Sequence, residues 1–300
     1  MASNSVLSRA RTIFEMIKFE HTIFALPFAY MGMFLAARSL GQFLPTLSQF
    51  VWVTVAMVGA RSFSMALNRF IDRKIDARNP RTAGRALPKG LLTPNSVMVF
   101  AIASASVFLY ATWMLAPLAR YVWPFIIAPF ILYSYTKRFT WLNHVVLGAC
   151  LGLAPVGAWI GVANGISPAI ILFGLGVAMW TAGFDIIYAC QDVEVDRREG
   201  LLSIPARFGI AKALVITRIM HATAVACFIA GGVILGLGAI YYAGVAVIAL
   251  LLIYEDSLVS PADLSRLNAA FFTMNGIISV IIFVFTATDL VFRAIGRGLS

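Results

Sequence analysis

The feature that most constrains this chain is the recurrence of apolar runs long enough to cross a bilayer. A spanning helix needs about 20 mostly apolar residues. Nine stretches qualify: about 13–37, 47–70, 95–116, 119–135, 143–163, 167–190, 211–235, 238–254 and 268–288. They use most of the 300 residues, which are 61% hydrophobic and only 12% charged, against about 25% charged in a soluble domain. A soluble enzyme, a disordered chain, a coiled coil and a disulfide scaffold are excluded. The expectation is an all-α polytopic membrane protein forming a single transmembrane domain over residues 1–300. The first run is not a cleaved signal peptide, because Lys18, Glu20 and His21 come early and no small-residue cleavage site follows. Cys150, Cys190 and Cys227 sit in apolar runs without metal spacing and read as small core residues.

The net charge of +10 does not point to nucleic acid, because its distribution follows the positive-inside pattern. With the N-terminus in the cytoplasm, inside segments hold Arg9, Arg11, Lys18, the dense group from Arg69 to Lys89, Lys137, Arg138, Arg197, Arg198, Arg207, Lys212, Arg218 and Arg266. Outside ends hold only Arg38, Arg120, Arg293 and Arg297. The reading is N-in, C-out, in a cell (inner) membrane. The longest inside connections, about 71–94 and 191–210, carry nearly all the acids. Chemistry is therefore expected at the cytoplasmic face, where long polar loops meet helix ends.

Two acidic ladders stand out. Asn68, Asp72 and Asp76 step by four at the inner end of the second span, and Tyr188, Asp192 and Asp196 do the same after the sixth, with Asp185 seven residues before Asp192. On a helix each set lies on one face, rising about 6 Å per step. Stacked carboxylates repel, and a divalent cation removes that cost. One or two carboxylates completed by water and phosphate oxygens suit Mg²⁺. Asn68, Asp72, Asp76, Asp192 and Asp196 are the candidate metal ligands. Both ladders end spans of the same direction, and both are followed by Gly/Pro punctuation (Gly84, Pro88, Gly90; Gly200, Pro205, Gly209). This pattern fits one shared site built from two halves.

Basic residues interleave with these acids, and carboxylates, metal and guanidinium groups together describe a diphosphate site. Arg73, Arg81, Arg85 and Lys137 are the leading phosphate contacts, with Arg78 and Arg197 as further candidates. Phe63, Tyr133, Trp180 and Tyr188 are candidates for aromatic walls. Arg61 lies seven residues before Asn68 on the same face, and a mid-membrane Arg should face a cavity. It is positioned to hold an acceptor carboxylate. Asp185, about 10 Å deeper than Asp192 along a helix axis, is assigned to the acceptor's hydroxyl or ring proton. The plainer alternative is an Arg61–Asp185 ion pair. Glu20 and His21 read as interface residues. His144 and His221 show no partner pattern.

Asn68, Asp72 and Asp76 followed by Asn79-Pro80-Arg81-Thr82, Asp192 and Asp196 preceded by Asp185 and Tyr188, Tyr133 with Lys137-Arg138, and the tail from Glu255-Asp256 to Gly276 closely resemble the UbiA superfamily of intramembrane prenyltransferases. The resemblance runs from Lys18 to about residue 276. It implies nine transmembrane helices around a central cavity, Mg²⁺ held by both aspartate motifs, and transfer of a polyprenyl group from its diphosphate to an aromatic ring. The chain looks most like the bacterial 4-hydroxybenzoate polyprenyltransferases of quinone biosynthesis. Ser134 stands where many members have Pro, Ala86 interrupts an Arg-Pro-Leu-Pro-like stretch, and the entry segment His21 to Pro27 resembles a branch whose acceptor is a dihydroxynaphthoate for menaquinone. The alternatives are that acceptor, another reaction of the superfamily (haem farnesylation, chlorophyll or lipid prenylation), and, from a different class, a transporter. Partners are the two substrates and the bilayer. Oligomeric state is not fixed.

Overall fold

The computed structural model describes residues 11–17, 25–267 and 273–296. The chain is all-helical, 79% helix, with no strand among the described residues. The helices are α1 (Leu26–Ser39), α2 (Leu47–Arg78), α3 (Pro94–Met114), α4 (Ala119–Thr136), α5 (Asn143–Ala163), α6 (Pro168–Ala189), α7 (Val193–Arg198), α8 (Ile204–Phe208), α9 (Ile210–Ile234), α10 (Ala239–Ser257) and α11 (Asn275–Gly296).

A helix lies at each of the nine expected spans, but seven are long and apolar enough to cross a membrane among the described residues: α2, α3, α5, α6 continued to Arg198, α9, α10 and α11. The two that fall short have physical reasons. The inner part of the first span, with Lys18, Glu20 and His21, lies outside the described residues, leaving 14 residues in α1. The 18-residue α4 carries Arg120, three tyrosines, and Pro124 and Pro129 inside the helix. The last span runs further along than expected, ending at Gly296 rather than 288, and takes Arg293 into its final turn; the expected start at 268 lies outside the described residues. Arg9 and Arg297 also lie outside the described residues.

The length of α2 sets the position of the first ladder. Its start is fixed by a capping box, in which Gln49 N donates to Thr46 Oγ1 and Thr46 N to Gln49 Oε1. From there 32 residues rise about 48 Å, well beyond a hydrocarbon core of about 30 Å. The last turns, from Asn68 on, therefore extend beyond the hydrocarbon core. The second ladder departs from a continuous α-helix. After α6 one 3₁₀ turn, Cys190–Asp192, precedes α7, which changes the phase between Tyr188 and Asp196.

Close helix contacts rest on small residues, as expected where lipid gives no hydrophobic drive to associate. A Cβ added at Gly148 of α5 would overlap the Ala178 carbonyl of α6, and Gly152 and Gly174 face each other across the same pair. Three apolar cores result, the smallest around Ile186, Ile187, Ile204 and Leu214. Phe28, Phe173, Trp180, Phe228 and Tyr241 fill one, among α1, α6, α9, α10 and α11. Phe63, Ala66, Val97, Phe108 and Phe130 fill the second large one, between α2, α3 and α4. Large side chains such as Val99, Trp113, Phe125, Val233, Leu250 and Phe292 point outward, where lipid covers them. All three cysteines are buried and unbridged.

Candidate active site

Between the two larger cores runs a cavity of about 810 Å³ with both ladders at its mouth. Asp72 is 3% exposed and Asp76 4% exposed, so each charge needs partners. Asp72 accepts from Asn68 Nδ2 at 3.0 Å, Lys137 Nζ at 2.6 Å and Arg138 Nη2 at 2.9 Å. Asp76 accepts from Arg85 Nη1 at 2.7 Å, while its Oδ2 is buried without a hydrogen-bond partner. Across the mouth, Arg81 forks onto Asp192, Nε to Oδ1 at 3.0 Å and Nη2 to Oδ2 at 2.6 Å, and Nη1 donates to the Tyr188 hydroxyl at 3.1 Å. Asn79 Nδ2 adds a third bond to Asp192 at 3.1 Å. Burial alone would lower the Arg81 pKa, but the hydrogen bond and charge of Asp192 raise it above its ordinary value. Asp196 accepts from Ser203 Oγ at 2.8 Å. The loop after α2 thus reaches over to clasp the segment after α6. A surface pair, Arg78 Nε to Glu199 Oε2 at 2.8 Å, joins the same two segments.

Deeper in the cavity lie Arg61 and Asp185. Arg61 Nε is buried without a hydrogen-bond partner. Asp185 is not its partner: Asp185 Oδ2 takes His144 Nδ1 at 2.7 Å. Beyond them the lining turns apolar along α2, α3, α4 and α5, through Val53, Met57, Phe108, Leu115, Val122 and Ile126. The compartment therefore presents a charged mouth, a middle with one carboxylate and a guanidinium that has no ion-pair partner among the described residues, and a long greasy remainder.

The UbiA prenyltransferase family profile matches residues 25–277. This chain belongs to that family. A UbiA homologue from Aeropyrum pernix superposes with a TM-score of 0.81 at 34% identity, covering 90% of this chain and 98% of the other. A UbiA homologue from Archaeoglobus fulgidus, bound to GPP and Mg²⁺, shares the fold with a TM-score of 0.72 at 18% identity over 93% of this chain and 99% of its own. A curated relative from Vibrio cholerae, a 4-hydroxybenzoate octaprenyltransferase, is 29% identical over 252 residues, 84% of this chain and 88% of its own length. The protein is an integral-membrane prenyltransferase, and the transporter alternative is set aside.

In this UbiA prenyltransferase, the cavity collects most of the residues singled out in the sequence: Arg61, Asn68, Asp72, Asp76, Arg81, Arg85, Tyr133, Lys137, Asp185, Tyr188, Asp192 and Asp196 all line it. Four do not. Arg73 donates to the Phe70 carbonyl at 2.6 Å and stacks on that ring. Arg197 Nε donates to the Ala206 carbonyl at 3.0 Å, away from the mouth. Phe63 and Trp180 are core residues, and Phe184, packed edge-on against Trp180 with centroids 4.8 Å apart, lines the cavity instead. Sequence reading missed Ser203 and gave His144 and His221 no partner, whereas His144 Nδ1 lies 2.7 Å from Asp185 Oδ2 and His221 Nδ1 lies 3.0 Å from Asp256 Oδ1. Lone histidines in apolar helices carry no local signal, because their partners come from other helices.

Proposed function

We propose that this prenyltransferase transfers a polyprenyl group from its diphosphate to the ring of an aromatic acid, 4-hydroxybenzoate, in respiratory quinone biosynthesis, with Mg²⁺ as cofactor. The observation that carries the reading is the three-part cavity: charges for a diphosphate, Arg61 with Asp185 for a hydroxylated acid, and an apolar remainder for the tail. The names of the curated relatives support the acceptor.

The residues present fit Mg²⁺. They offer hard oxygen donors on two facing edges, Asn68, Asp72 and Asp76 against Asp192 and Asp196, and the buried Asp76 Oδ2 is an orphaned acceptor. Among the described residues no three acidic or histidine side chains converge on one point. An ion there would be held by one or two carboxylates and completed by diphosphate oxygens and water. Bound there, Mg²⁺ supplies Lewis-acid neutralisation of the leaving diphosphate.

The chain's own groups do the rest. Arg81, Arg85 and Lys137, now spent on carboxylates, are placed to turn onto phosphate oxygens as charge develops. The allylic C–O bond breaks with its electron pair going to the diphosphate. Tyr133, Tyr188 and the apolar lining exclude water from the electron-poor allylic carbon. Arg61 holds the acceptor carboxylate, so the ring π pair forms the new C–C bond at that carbon. Asp185 takes the ring proton.

Nine spans with the N-terminus inside, a bacterial-type inner membrane and a mouth facing the cytoplasm complete the proposal, supported by the density of Arg and Lys at the mouth end. Purified protein, Mg²⁺, a series of polyprenyl diphosphates and a panel of acceptors test it. Prenylated 4-hydroxybenzoate is the expected product. Turnover of a dihydroxynaphthoate alone moves the protein to menaquinone synthesis, and turnover of neither overturns the reading.

A further inference from the structure

We propose that His144 is a positioning residue for Asp185, and that the adjacent residues Ser203 and Ile204 tie this pair to the carboxylates at the mouth. The proposal rests on the aromatic prenylation reading and deepens it.

His144 sits in the first turn of α5 and is 1% exposed. Its Nε2 lies 3.4 Å from the backbone nitrogen of Ile204. A backbone N–H only donates, so Nε2 is the acceptor and the neutral ring carries its proton on Nδ1. That proton is donated to Asp185 Oδ2, 2.7 Å away. Asp185 is thereby held by one oxygen, and its Oδ1 remains for the cavity that the residue lines. A base fixed by one oxygen and open at the other is oriented for a single proton path.

The second half of the inference comes from the neighbour. Ser203, 2% exposed, donates its hydroxyl to Asp196 Oδ2 at 2.8 Å. One residue on, the Ile204 amide holds His144. A single peptide unit therefore touches the diphosphate side of the cavity and, through His144, its acceptor side. The segment is anchored: Leu202 N donates to the carbonyl of Lys137 at 2.7 Å. A shift of Asp196 when diphosphate binds is passed through Ser203 and Ile204 to His144 and on to Asp185, so the acceptor base is aligned only when the mouth is filled.

Two substitutions separate the contacts of the ring. In His144→Asn the amide nitrogen occupies the place of Nδ1 and keeps Asp185 but loses Ile204. In His144→Gln the amide oxygen occupies the place of Nε2 and keeps Ile204 but releases Asp185. His144→Gln is expected to lower kcat by about tenfold or more with the KM for prenyl diphosphate unchanged, and His144→Asn to recover most of that kcat. His144→Asn and Ser203→Ala should each weaken the coupling by which Mg²⁺ with pyrophosphate tightens acceptor binding, expected at about fivefold or more in the wild type. Equal kcat in the Asn and Gln variants, or no coupling in the wild type, overturns the proposal while leaving prenyl transfer standing. A readout independent of activity is ¹⁵N-histidine NMR of the wild-type protein, which has three histidines, the His144 signals being assigned by their loss in His144→Asn. A neutral ring protonated at Nδ1 is expected. An Nε2–H ring or an imidazolium overturns the proposal even if no acceptor is turned over or the Gln variant fails to fold.

Discussion

Arg61→Leu discriminates most sharply between a substrate anchor and a scaffold residue. Arg61 lines the cavity, its Nε is buried without a partner, and Asp185 is engaged by His144 instead. Removing Arg61 therefore breaks no ion pair among the described residues, and the melting temperature should stay level or rise, because a desolvated charge disappears. Had Arg61 and Asp185 formed a buried pair, the substitution would leave an unpaired carboxylate and cost about 3–5 kcal/mol. On the substrate side, losing hydrogen bonds from a charged group to the acceptor carboxylate removes about 1.5–3 kcal/mol, or about 10- to 150-fold in kcat/KM for the acceptor. The KM for prenyl diphosphate should change less than about twofold, since that substrate never touched Arg61. Arg61→Lys should recover only part of the loss, because an ammonium keeps the charge but not the planar fork. Two-substrate steady-state kinetics and thermal unfolding in detergent give both readings. An unchanged acceptor KM, or an equal penalty for a phenol lacking the carboxylate, refutes the anchor.

Asp72→Asn and Asp192→Asn should each reduce turnover by about 100-fold or more, as several kcal/mol of leaving-group neutralisation is lost; full activity in either refutes the shared site. EDTA should abolish turnover and added Mg²⁺ restore it, and an active EDTA-treated enzyme removes the metal from the proposal. Reporters fused after Lys89 and Arg207 should read cytoplasmic and one at the C-terminus external; a cytoplasmic C-terminus refutes nine spans with the N-terminus inside. Gly148→Ala, whose Cβ meets the Ala178 carbonyl, should destabilise the protein by about 1–3 kcal/mol, seen as a lowered melting temperature, and an unchanged one refutes the close α5–α6 contact.

What was legible in the sequence follows the range of the interaction responsible. Helices at the nine expected spans were readable because an apolar run carries its own signal. Helical phase placed Arg61 correctly: seven residues from Asn68 is about two turns, and both line the cavity. The same phase excludes Arg73, one residue and so about 100° round from Asp72, and Phe63, nine residues and so half a turn away. Both were singled out on chemistry where geometry points elsewhere.

The rest depended on contacts that no local pattern encodes. The sequence pattern gives no sign of the 3₁₀ turn at Cys190–Asp192, where Asp192 is clasped by Asn79 and Arg81, 113 and 111 residues earlier. His144 acquires its role from Asp185 and Ile204, 41 and 60 residues on. In a bundle whose helices are uniformly apolar, such polar contacts set how the loops at the mouth close. Each leaves a buried charge or donor unsatisfied if it is not made. Strong pairing at the mouth and, in the interior, a guanidinium with no ion pair among the described residues fit the proposed roles of the two zones. At the mouth, carboxylates and cations neutralise one another until phosphate competes for the cations. Inside, a guanidinium already committed to a protein carboxylate would have to surrender that partner to hold an acid, and acceptor binding would weaken by that cost. Keeping Asp185 on His144 leaves Arg61 available.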